Sequence, residues 1–105
     1  MDAISSYIVE KLTDAIQIID SCNLDYIEYG LFGSVARSEY NGRSDIDIVF
    51  IVNELITSKE FAALAGDLES LHCDIAQILL ENFNNPKNTF HRNIAKDYKR
   101  IKSRE

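Results

Sequence analysis

Helical and strand-like segments alternate along the chain, which predicts an α/β (α+β) domain built on three main strands. Two observations carry this. Residues 26–32, 45–52 and 73–80 are short runs rich in β-branched and aromatic residues, bounded by turn-forming or polar positions. Around them, apolar residues recur at the spacing of one helix face.

The first helix is expected over residues 4–20, where Ile4, Ile8, Leu12, Ile16 and Ile19 alternate with charged residues. Residues 23–25 end it, and the first strand follows. Gly33-Ser34 closes that strand, with Ser34 placed to cap a short helix through Arg37. Asn41-Gly42 marks a turn. The second strand is apolar on both faces after Asp47, so it is predicted to be central. Thr57 or Ser58 opens a helix whose apolar face is Phe61, Leu64, Ala65, Leu68 and Leu71. After the third strand, Asn84-Asn85-Pro86 makes a break, with Pro86 suited to the first turn of a last helix. That helix carries Phe90, Ile94, Tyr98 and Ile101. The expectation is a small mixed sheet of three main strands with about four helices, in a single domain spanning residues 1–105.

Charge is uneven. Residues 1–84 hold 15 acidic against 4 basic side chains, and residues 85–105 hold 2 against 7. An acidic body disfavours direct binding of nucleic acid, which wants a basic face. The basic tail is expected to be a solvated helix face, with a docking surface for an acidic partner as the functional reading. The start of the chain carries Asp2 and no basic residue ahead of an apolar run, so no secretory leader is expected. No membrane span is expected either. Cys22 and Cys73 lie in apolar segments without metal-ligand spacing, which points to free thiols and a reducing, cytoplasmic compartment.

Asp45 and Asp47 lie two apart on a strand, so their side chains share a face while Ile46 and Ile48 take the other. Adjacent carboxylates repel, and a divalent cation such as Mg²⁺ settles the repulsion. Alone, the pair reads first as solvated strand-end acids. Upstream, Gly33 lets the backbone approach a phosphate, and the Ser34 hydroxyl adds a donor. Asp74 begins an otherwise apolar strand and joins the pair if the second and third strands are neighbours. Three carboxylates could then hold two cations and orient an attacking hydroxyl. His72 and His91 read as structural or surface residues, with a supporting place for His72 beside Asp74 on its strand.

Together, Gly33-Ser34-Val35-Ala36-Arg37 and Ser44-Asp45-Ile46-Asp47 resemble the signature of the DNA polymerase β-like nucleotidyltransferases. The longer form is similar to the minimal nucleotidyltransferases (MNT) of bacteria and archaea, with Ser38 where that family often has glycine. The resemblance implies the polymerase β-like fold. It implies that Asp45, Asp47 and Asp74 bind two Mg²⁺ ions and act catalytically. Gly33, Ser34, Arg37, Arg43 and Ser44 would form the nucleotide-binding set for ATP. It implies transfer of AMP from ATP to a hydroxyl. So short a chain has little surface left for an acceptor pocket, so the acceptor is expected on a partner. The resemblance points to a HEPN-type helical toxin, with this chain as the antitoxin. Neutralisation by occlusion, and a catalytic subunit acting on a small molecule or RNA, are the alternatives. A hetero-oligomer or a homodimer would suit either form.

Overall fold

The computed structural model describes residues 6–37 and 45–104. Their centre is a four-stranded mixed sheet in the order β3-β2-β1-β4. β1 (Glu28–Phe32) pairs antiparallel with β2 (Ile46–Val52) on one side and with β4 (Lys99–Ser103) on the other. β2 and β3 (Cys73–Leu79) run parallel. The predicted central place of the second strand holds: Val49, Phe50, Ile51 and Val52 are all buried, because both faces of the sheet are covered.

The period of two along β2 builds two cores. Ile46, Ile48, Phe50 and Val52 belong to the larger cluster. There they meet α1 (Ser6–Asp20) through Ile8, Ala15 and Ile19, and α3 (Lys59–Glu69) through Leu64 and Leu68. The stripe of α1 that turns inward is Ile8, Leu12, Ala15 and Ile19, with Ile16 only half-buried beside it. Val49 and Ile51 point to the second face. They pack with Ile78 of β3 and Ile94 of α5 (Thr89–Asp97), flanked by Leu80 and Phe83 of α4 (Leu80–Asn84).

The C-terminal quarter differs from the sequence expectation. The last helix stops at Asp97, and residues 99–103 form β4, a fourth strand along the edge of β1. Tyr98 and Ile101 therefore do not share a helix face with Phe90. Tyr98 caps α5 in an extended conformation, and Ile101 packs on the larger core. Pro86 is not in the first turn of that helix. The helix opens at Thr89 with Asn88 as its cap, the Asn88 side chain accepting from the His91 amide at 2.8 Å. The short α4 precedes the Asn85 break. Ser34 does not cap α2 (Gly33–Ala36) either: Phe32 holds the cap position and Ser34 lies inside the turn.

Side-chain bonds lock the edges. Gln77 of β3 bonds the Ile56 backbone twice, accepting from its N–H at 2.7 Å and donating to its C=O at 2.9 Å. The loop between β2 and α3 thus gains a mimic of strand pairing. Tyr98 donates to Glu28 at 2.7 Å beneath the Phe83 ring. No helix among the described residues is long and apolar enough to cross a membrane.

Candidate active site

β1 runs into Gly33 with φ at +75°, a conformation glycine adopts freely. The turn brings the Gly33 Cα against β2. A Cβ built there would sit 2.5 Å from Asp47 Oδ2. Glycine at this position therefore serves a close approach to a carboxylate as well as a turn.

Asp47 lies opposite Phe32 in the β1–β2 register and opposite Asp74 in the β2–β3 register. Directly paired positions share a face, so Asp47 and Asp74 stand side by side on the α4/α5 side of the sheet. Asp45 immediately precedes β2 and is exposed, as is Asp74. Burial, then the charges of Asp74 and Asp45, push the Asp47 carboxyl above its ordinary range, and Arg37 pulls the other way. Among the described residues, no group of three His, Cys, Asp or Glu side chains closes into a metal site. Asp45 and Asp74 lie close enough to Asp47 for their charges to act on it, and carboxylate oxygens are the hard donors that Mg²⁺ takes.

His72 is not on the strand with Asp74. It occupies the turn after α3 with φ at 58°, and its carbonyl accepts from the Ile46 amide at 2.9 Å. That bond fastens the start of β2, between Asp45 and Asp47, to the start of β3 just before Asp74. His72 thus positions the carboxylates through its backbone. The histidine in the sequence carried no sign of a left-handed turn.

Arg37 follows α2, and its Nη1 donates to Asp97 Oδ2 at 2.7 Å, with side-chain exposures of 41% and 9%. The sequence does not single out Asp97, an acid in the segment expected to be a solvated basic helix face. Arg43 and Ser44 of the expected nucleotide-binding set lie outside the described residues, as do Ser38 and Tyr40. Both cysteines are free; burial pushes the Cys73 thiol up to about 11.

The Polymerase beta, Nucleotidyltransferase family model matches residues 11–105. The chain belongs to that family. Its members' fold is the one seen here: a candidate nucleotidyltransferase from Sulfolobus solfataricus superposes with a TM-score of 0.62 at 20% identity, covering 99% of this chain and 93% of that one. An MNT antitoxin complex with a tri-AMPylated Shewanella oneidensis HEPN toxin gives 0.58 at 16%, covering 92% and 72%. A toxin–antitoxin structure with AMP-PNP gives 0.61 at 18%, covering 90% and 72%. A sequence search of curated proteins returns no match. The candidate site face of this chain is the one on which Gly33, Asp47 and Asp74 meet.

Proposed function

We propose that this nucleotidyltransferase-family chain transfers AMP from ATP to a hydroxyl of a HEPN-type partner protein, acting as the antitoxin of the pair in the cytoplasm. The observation that carries the reading is the seating of Gly33 against Asp47, with Asp74 in register beside it. A phosphate-approach turn and a repelling carboxylate set meet at one point, and the ionised Asp47 carboxylate opposes folding rather than assisting it.

Asp45, Asp47 and Asp74 would hold Mg²⁺. Bound there, the ions would stabilise charge on the attacking and leaving oxygens. The Gly33 backbone leaves room for a phosphate chain, and the Ser34 hydroxyl donates to a phosphate oxygen. Arg37, whose charge acts on Asp47, would offset negative charge there, with Arg43 and Ser44 proposed to complete the set. Asp74 accepts the proton of the incoming hydroxyl. The acceptor oxygen bonds to the α-phosphorus, the bond from that phosphorus to the bridging oxygen breaks, and pyrophosphate departs. The HEPN partner is supported by the structural relative described as an MNT antitoxin in complex with an AMPylated HEPN toxin. The assembly would then be a hetero-oligomer, with a homodimer as the alternative.

A second reading keeps the partner and omits the chemistry. It is favoured by the absence, among the described residues, of three converging donors. Intact-mass analysis of a HEPN partner incubated with the chain, Mg²⁺ and ATP separates the two. Transfer predicts a gain of AMP on the partner, abolished by D45N and D47N. Neutralisation by those variants without any mass change would establish occlusion.

A further inference from the structure

Four large hydrophobic residues among those described are exposed: Tyr7, Val9, Leu55 and Phe90. Phe90 is the one that borders the site face. It lies one helical turn before Ile94, which is fully buried, yet is itself 49% exposed. Its ring meets Phe32 at right angles, with centroids 6.3 Å apart. Phe32 stands opposite Asp47 in the β1–β2 register and packs on the α4/α5 face. Phe90 is therefore separated from the carboxylate region by a single side chain. The Phe32 and His91 rings border it without covering it.

An uncovered aromatic ring gains little for folding at this position. Beside a triphosphate site it offers a π-face on which a base stacks. We propose that Phe90 is the stacking platform for the purine base of the nucleoside triphosphate. The phosphates lie toward Gly33 and Asp47, and the base lies over the N-terminal turn of α5. This rests on the nucleotide reading given above and assigns the base to a residue outside the Gly-Ser and Asp-x-Asp motifs.

The chain has no tryptophan, so F90W introduces a single emission probe. Calorimetry should be run with Mg²⁺-ATP and with Mg²⁺-tripolyphosphate, which carries phosphates and no base. F90A should weaken ATP about tenfold and leave tripolyphosphate binding unchanged. The F90W emission should respond to ATP and stay constant with tripolyphosphate. ATP binding by F90A equal to that of the unsubstituted chain would overturn the proposal. So would a loss of HEPN-partner affinity in F90A with ATP binding intact, which would assign the ring to the protein interface. If the unsubstituted chain binds neither ligand, the nucleotide reading itself falls, and that outcome is distinct from failure at Phe90 alone.

Discussion

Gly33 and Asp47 touch: the glycine Cα faces the carboxylate so closely that a Cβ would lie 2.5 Å from Oδ2. G33A therefore combines a left-handed backbone strained for alanine with a collision at the site. A loss of about 1–3 kcal/mol in urea denaturation is expected. ATP binding should fall further than stability accounts for, because Asp47 must move.

Asp47 is held above its ordinary pKa, mainly by burial and then by its acidic neighbours. The sign follows from that direction. The protonated form favours folding, so this stability is complete below the unfolded pKa and is lost as pH rises through the higher folded value. At neutral pH the ionised carboxylate opposes folding. Without divalent cations, D47N should melt a few degrees higher than the unsubstituted chain at pH 7. The difference should shrink as pH falls and vanish below about pH 3, under the unfolded aspartate value of about 3.9. Calorimetric melting across that pH range checks it.

Arg37 pairs with Asp97 and is also proposed to serve the phosphate set. Its ion pair with the nearly buried Asp97 is half-exposed on the arginine side, so a double-mutant cycle should give a coupling of about 0.5–1 kcal/mol. D97N removes this ion pair and should leave ATP affinity unchanged or tighter. R37A should weaken it. Equal ATP affinity in R37A and the unsubstituted chain would remove Arg37 from the phosphate set.

Gln77 replaces strand pairing for the Ile56 peptide with two hydrogen bonds. Q77A should lower stability by about 1–3 kcal/mol, since both partners lose their bonds in a half-buried setting. Nucleotide affinity should not change, because the bonds lie away from the carboxylates.

Much of this fold was legible because β2 is covered on both faces and α1 and α3 carry clean apolar stripes. The grouping of the candidate site residues was legible because Asp45 and Asp47 share a parity, and Asp74 falls in register with Asp47 once β2 and β3 are parallel neighbours. β4 was hidden by its edge position. Lys99, Arg100 and Lys102 stay exposed there while Ile101 alone packs on the larger core, and Ile94, Tyr98 and Ile101 happen to fall at helical spacing. His72 in a left-handed turn was equally hidden, because its contribution is a carbonyl rather than the imidazole. Asp97 was obscured by surrounding lysines and arginines, and only the fold brings it to Arg37, 60 residues away.

Gly33, Asp45, Asp47 and Asp74 are proposed to serve nucleotidyl rather than phosphoryl transfer. Parallel reactions of the chain with a HEPN partner and Mg²⁺, one with ATP labelled at the α-phosphate and one at the γ-phosphate, test it most directly. The account predicts α-label on the partner, γ-label released as pyrophosphate, and neither event with D45N or D47N. Label from the γ-position on the partner, or α-label transferred equally by D47N, would contradict it.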